Sequence, residues 1–373
     1  MAPFIDSLEV RGFRAFTDLK IDSLGKVNLI TGKNNCGKST LLEAVRMLAT
    51  GGALKTIVEI LDYREELGSA DKSERVPQPQ DLSPFCNLFT GFPKLASSGQ
   101  GFAIAASGSL PEAISRIEAN IHWFVGRMDA SASMQRYEPA AEDLFVDVDP
   151  FPALELNIAG RQRVVPLDRL RRRTPMRADA DVSPAPCVYL DPFSSRSTSQ
   201  MGALWDAIAL TDVEQEIVEA LRLVSEDIQA VQMVGGDERW AGGRTAIAKS
   251  TRYPSPVPLK SFGDGVNRLF GIILSLCNAR KGVLLVDEVE NGLHYSVQSD
   301  VWRTLFRLAQ DLNVQVFATS HSWDCVRAFQ EAAHESPEAG VLIRLSNHND
   351  RILPTLFSEH ELDIVTRDQI EVR

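Results

Sequence analysis

The stretch Val27-Asn28-Leu29-Ile30-Thr31-Gly32-Lys33-Asn34-Asn35-Cys36-Gly37-Lys38-Ser39-Thr40 decides the fold, because an apolar run passes directly into G-x-x-x-x-G-K-[ST]. Val27 to Thr31 reads as a strand, and Leu41 to Leu48 as the helix that follows. Between them lies a phosphate cradle. The glycines let successive backbone N–H groups, from Gly32 through Asn34, Asn35 and Cys36 to Gly37, turn toward phosphate oxygens. Lys38 adds a point charge, and the hydroxyls of Ser39 and Thr40 stand at the helix start, with Ser39 the one offered to Mg²⁺. The positive end of the helix faces the same place.

Three later segments complete the pattern. Val283-Leu284-Leu285-Val286 is apolar throughout, as a parallel strand covered on both faces requires, and it ends in Asp287-Glu288. In this Walker B arrangement Asp287 holds Mg²⁺ through its water shell, and Glu288 orients or deprotonates the attacking water. Val314 to Thr319 reads as a further strand that delivers Ser320-His321 at its C-terminal end, where ligands of open α/β sheets bind. Ser261-Phe262-Gly263-Asp264-Gly265 opens a helix with apolar spacing at Val266, Leu269, Phe270, Ile273 and Leu274. That serine and its two glycines form an anion site distinct from the Lys38 loop, since one nucleotide does not need two such helix ends from one chain.

With these motifs the chain resembles the ABC-type ATPases of the chromosome-maintenance and DNA-repair branch, and within it the ATPase half of the overcoming-lysogenization-defect (OLD) nucleases. The resemblance covers residues 4 to 50 and 186 to 330. It includes Leu8-Glu9-Val10-Arg11-Gly12-Phe13-Arg14-Ala15-Phe16 and the run Val286-Asp287-Glu288-Val289-Glu290-Asn291-Gly292-Leu293-His294. It implies ATP and Mg²⁺ as cofactors, and a head-to-head homodimer in which Ser261, Gly263 and Gly265 of one subunit close on the nucleotide held by the other. It further implies Asn291 and Gly292 as the D-loop, His321 as the switch histidine, and Arg14 among the nucleotide-binding residues. The signature S-F-G-D-G departs from the L-S-G-G-Q of membrane transporters and argues against one. Asp264 then sits near phosphate, with Arg268 as the residue to offset its charge. No glutamine lies at a clear strand end to serve the Q-loop, and Val188-Tyr189-Leu190 before Asp191 takes that region.

Composition agrees with a cytoplasmic enzyme. The chain has 373 residues, of which 44% are hydrophobic, enough for a large core. Cys36, Cys86, Cys187, Cys277 and Cys325 are scattered and read as reduced thiols. No apolar run approaches a spanning helix, no secretory pattern opens the sequence, and no histidine spacing suits a transition metal. The net charge of −11 argues against indiscriminate nucleic-acid binding. Arg161, Arg163, Arg169, Arg171, Arg172, Arg173 and Arg177 nevertheless cluster, with Asp168 the acid among them. They read as a DNA-facing patch, a docking surface for an acidic partner, or a solvated segment of salt bridges.

The expected fold is α/β: a P-loop, ABC-type ATPase head with a mixed sheet, an antiparallel β lobe and an inserted middle region. Residues 1–50 and 186–373 form the two parts of the ATPase domain, and 51–185 the insertion. Within it, residues 51–100 read as a loop or mobile arm from their Pro, Gln, Ser and Gly punctuation. Ile121–Val125 and Leu154–Ile158 read as antiparallel strands added to an ATPase lobe. Thr211 with Glu214 suggests a capping box, with Val213, Ile217, Leu221 and Val224 on one apolar helix face. Val341–Leu345 and Arg351–Thr355 close the chain as a strand pair. Asp147-Val148-Asp149 has the D-x-D spacing but lies in the middle insertion, and residues 322–373 contain no D-x-D, which disfavours a self-contained nuclease of the OLD kind. The expected function, by analogy with the family that the chain resembles, is ATP hydrolysis coupled to dimerisation, gating a separately encoded effector such as a nuclease or acting on nucleic acid in a bacterial defence, antiphage, or DNA-maintenance role. The alternative is an ATP-dependent scaffold that sequesters a partner.

Overall fold

Alternation along the central strands sets the architecture. In Val283–Val286 every side chain is buried, and the pleat sends Val283 and Leu285 into one core while Leu284 and Val286 enter another. A strand apolar on both faces needs cover on both. The computed structural model describes residues 3–67, 79–95, 101–109, 115–128, 135–139, 150–172, 185–192, 198–211, 213–235, 244–336, 339–358 and 361–364.

The chain opens with a hairpin of β1 (Ser7–Phe13) and β2 (Phe16–Ile21); β3 (Val27–Thr31) then runs through the glycine turn into α1 (Lys38–Ala49) and α2 (Leu54–Tyr63). The short α3 (Pro79–Leu82) precedes β4 (Gly101–Ser107), β5 (Arg116–Met128), β6 (Gln135–Pro139), β7 (Phe151–Ile158) and β8 (Arg161–Pro166), and α4 (Leu167–Arg171) follows. Next come β9 (Cys187–Leu190), α5 (Thr198–Asp206), α6 (Val213–Arg222), β10 (Ile228–Gly235), β11 (Arg244–Ser250), β12 (Val257–Pro258) and α7 (Asp264–Asn278). The last part alternates β13 (Val283–Val286), α8 (Tyr295–Asp311), β14 (Gln315–Thr319), α9 (Trp323–His334), β15 (Gly340–His348) and β16 (Arg351–Phe357).

The central sheet has the order β16-β15-β3-β14-β13-β9, parallel except for the antiparallel edge strand β16. One face carries α7, α8 and α9 in a core that also takes Ile217 and Leu221 of α6. The other face carries α1, which is roofed by an antiparallel sheet of order β2-β1-β4-β5-β7-β8, with β6 paired to β5. Thus α1, the helix that begins at Lys38, is packed between two sheets and cannot shift without disturbing both. This is an α/β P-loop ATPase head with mixed sheets.

Two expectations change. The antiparallel strands form as read, and β1 joins their sheet through its pairing with β4. Within 51–100, Leu54–Tyr63 is a helix with Thr56, Ile57, Val58, Ile60 and Leu61 buried, an apolar face that the neighbouring punctuation obscured. The capping box is displaced. The Thr211 hydroxyl donates to the Ile208 carbonyl, and the Glu214 carboxylate accepts from the Leu210 N–H instead. Asp147-Val148-Asp149 lies outside the described residues. Among the described residues no helix is long and apolar enough to cross a membrane.

Candidate functional site

Parallel register brings the C-terminal ends of β3, β14, β13 and β9 to one level. Thr319 pairs with Ile30, Val286 with Ala318, and Val286 with Leu190. The segments that follow these ends are Gly32–Ser39, Ser320-His321, Asp287-Glu288 and Asp191, so the topology assembles on one rim what the sequence scatters.

The glycine loop has the backbone that the cradle needs. Gly32 has φ 140°, and a Cβ there would lie 2.3 Å from the Leu345 carbonyl oxygen. Gly37 has φ 86° and caps α1, and a Cβ there would lie 2.9 Å from the Phe16 ring. Both positions therefore exclude any side chain. Asn34 and Asn35 stand exposed at the crest, Asn35 with φ 63°. Cys36 is buried beneath, its thiol pushed up by burial against the pull of Lys38. The Lys38 ammonium donates to the carbonyls of Gly32 at 2.7 Å and Lys33 at 3.0 Å. Burial lowers its pKa, while Cys36, Asp287, Glu288 and Glu290 act in the opposite direction.

Opposite this loop, the Ser39 hydroxyl donates to Asp287 Oδ2 at 3.0 Å. Thr319 bridges the two acids: its hydroxyl donates to Asp287 Oδ1 and accepts from the Glu288 N–H at 2.8 Å. Glu288 adopts φ 48°, a left-handed conformation uncommon for a side chain of its kind. Its carboxylate lies 3.6 Å from His321 Nε2, with both side chains partly open to solvent. The His321 N–H donates to Glu290 Oε1 at 2.8 Å. Thr319 and Glu290 were not singled out by sequence. The signal for Thr319 was a hydroxyl ending an otherwise apolar strand before Ser-His.

These residues fit a Mg-nucleotide. Among the described residues no group of three or more His, Cys, Asp or Glu side chains is placed to hold a metal. Ser39 and Asp287 supply one hydroxyl and one carboxylate, which suits a hard cation that keeps waters and takes phosphate oxygens as further ligands.

The remaining expected residues divide. Ser261 and Gly263 are exposed at the entry to α7; Gly263 has φ 104° with open space where a Cβ would stand, and no side chain caps the helix. Gly265 adjoins Gly292, one of the two residues expected as the D-loop: a Cβ at Gly265 would lie 2.7 Å from the Gly292 carbonyl oxygen. Asn291 donates from Nδ2 to the Pro192 carbonyl. Arg14 is drawn elsewhere than the expected nucleotide contact: its buried guanidinium makes a two-point contact with Glu66 and lies 2.8 Å from Glu43. Arg268 was expected to offset Asp264, but it donates to the carbonyls of Asp191, Asp287 and Glu288. Of the arginine stretch, Arg161 and Arg163 lie on the edge strand β8, and Arg169 and Arg171 on α4, with Arg172 at its end; Arg171 donates to the Asp81 carbonyl. Arg173 and Arg177 lie outside the described residues.

Fold and rim together define a P-loop ATPase. Two family models match, one described as an AAA ATPase domain over residues 209–326 and one as an AAA domain over residues 7–71. The glycine loop falls in the second, and the signature, Walker B and His321 in the first. The chain is 23% identical to an ATP/GTP phosphatase of Helicobacter pylori (strain ATCC 700392 / 26695), over 96% of this chain and 97% of that protein. It is 40% identical to the DNA replication and repair protein RecF of Thioalkalivibrio sulfidiphilus (strain HL-EbGR7) over 52 residues, 14% of each. Among solved structures, an SMC head bound to the C-terminal winged-helix domain of ScpA aligns with a TM-score of 0.49 at 13% identity, covering 95% of this chain and 98% of that one.

Proposed function

We propose that this protein binds Mg-ATP on the Gly32–Thr40 loop, closes head to head with a second copy around two nucleotides, and hydrolyses ATP to reopen, as an ATPase of the OLD and chromosome-maintenance kind. One observation carries the reading. A single hydrogen-bonded chain joins Ser39, Asp287, Thr319 and Glu288, and His321 stands against the Glu288 carboxylate.

Each group has a task in this reading. Lys38 leaves the Gly32 and Lys33 carbonyls and turns its charge to the β- and γ-phosphates. Bound Mg²⁺ neutralises developing charge on the phosphate oxygens. Ser39 and Asp287 hold that cation. Glu288, half exposed and beside His321, accepts a proton from the attacking water or orients it, and His321 contacts the γ-phosphate. The exposed, uncapped start of α7, with Ser261, Gly263 and Gly265, supplies N–H donors to the nucleotide of the other subunit. Opening and closing of the pair then gates a separately encoded effector or a nucleic-acid contact, the role that the resemblance implies.

Glu288→Gln is the direct test. ATP binding should persist, hydrolysis should slow by about 10² to 10⁴, the range typical of a lost acid or base, and Mg-ATP should trap a dimer visible by light scattering. A variant with wild-type turnover would remove Glu288 from the chemistry.

A further inference from the structure

The backbone of Glu288 carries a conformation uncommon for its side chain, and a buried arginine of the preceding helix holds it together with Thr319. At φ 48° the residue sits in the left-handed region, which surrounding structure must enforce. From below, Thr319 accepts its N–H. From the side, Arg268 Nη2 donates to its carbonyl at 3.0 Å and to that of Asp287 at 2.7 Å, while Nη1 reaches the Asp191 carbonyl at 2.7 Å. Arg268 is only 7% exposed. It lies one turn inside α7, the helix entered through the exposed Ser261 and Gly263. A second contact runs alongside, for Gly265 packs so closely on the Gly292 carbonyl that a methyl would not fit between them.

Resting on the dimer reading above, we propose that Arg268 is a positioning residue that fixes the turn carrying the Glu288 carboxylate and couples it to the signature helix. A guanidinium is suited to this task. Its planar fork places several donors at fixed angles, so a movement of α7 displaces the carbonyls of Asp191, Asp287 and Glu288 as one body. Contact of the partner's nucleotide with the start of α7 is thereby converted into the setting of the Glu288 carboxylate on the same subunit. The signature acts on hydrolysis through the protein as well as through the phosphate it touches.

The full chain is compared as wild type, Arg268→Met, Arg268→Lys and Glu288→Gln. Measurements are equilibrium binding of a fluorescent ATP analogue, steady-state turnover across protein concentration, and thermal unfolding. Arg268→Met should keep its affinity for the analogue while kcat falls about 10²-fold, as expected when a reacting group is misplaced by about 1 Å. Its specific activity should also cease to rise with protein concentration. Arg268→Lys retains the charge but not the fork, and should recover part of kcat without change in affinity. Wild-type kcat and concentration dependence in Arg268→Met would overturn the proposal, as would a loss explained wholly by weaker binding. Should Arg268→Met not fold, Arg268→Lys decides: lowered kcat at unchanged affinity supports the coupling, and wild-type kcat removes it. Glu288→Gln separates the two readings, since normal turnover there defeats the catalytic assignment itself. Slow turnover there beside a normal Arg268→Met defeats the coupling alone.

Discussion

Lys38 holds its ammonium against the carbonyl oxygens of its own loop, 2.7 and 3.0 Å away, with burial lowering its pKa. Such a cation is only partly compensated, because neutral carbonyls replace the water it gave up and the nearby Asp287, Glu288 and Glu290 do not offset its burial. Phosphate supplies the missing charge. Lys38→Ala should therefore weaken ATP binding by roughly 10- to 100-fold, the worth of one or two charge-assisted hydrogen bonds, while thermal unfolding of the nucleotide-free protein stays close to wild type. Titration with a labelled nucleotide at physiological Mg²⁺ measures the first, and undiminished affinity would refute the cradle assignment. Thr319 shows the same economy of contact: one hydroxyl donates to Asp287 and accepts from Glu288, using both of its capacities on the two acids.

Among elements, α1 is held by a cluster that the glycine motif does not announce. Arg14, in the turn between β1 and β2, contacts Glu43 on α1 and Glu66 just beyond α2; Arg64 donates to Glu43 at 2.6 Å and to Thr40 at 3.4 Å. The Arg14 to Glu43 approach is close at 2.8 Å but lies off the N–H direction, so its attraction is mainly Coulombic. With side-chain exposures of 4% for Arg14 and 8% for Glu43, removal of the arginine leaves the buried Glu43 carboxylate with Arg64 as its counter-charge and takes the partner from Glu66. Arg14→Ala should cost less than the about 3–5 kcal/mol of leaving a buried charge unpaired, because Arg64 still compensates Glu43. Urea unfolding measures that loss, and the folded fraction should bind ATP as wild type does. A selective loss of ATP affinity with stability unchanged would restore Arg14 to the nucleotide site.

At the scale of the whole molecule, the layers leave Ser261 and Gly263 exposed and lock α1, which begins at Lys38, between two sheets. Ser261 and Gly263 present their helix end outward, so a second copy is the natural source of the phosphate they meet in the proposed dimer. Ser261→Arg should leave ATP binding by the monomer intact and abolish Mg-ATP-driven dimerisation in the Glu288→Gln background. Light scattering decides this, and a surviving dimer would show that the signature does not act between subunits.

The sequence by itself determined the strand-loop-helix at Lys38, the apolar strands ending in Asp287-Glu288 and Ser320-His321, and the helix opened by Ser261-Phe262-Gly263. These features are local: positive φ at a glycine, two-sided burial of a short strand and helical apolar spacing are all written within a few consecutive residues. Helix α2 obeys the same rule, but its short apolar face is set among turn-forming residues that masked it. Only the tertiary structure decided which distant groups meet. Ser39 and Asp287 are separated by 248 residues, Arg14 and Glu66 by 52, and Arg268 and Asp191 by 77. Those contacts depend on parallel register, on the packing of α1 between two sheets and on the depth of α7 against the rim. None of these is encoded at the positions concerned, because each is set by how the remaining elements fill the two cores.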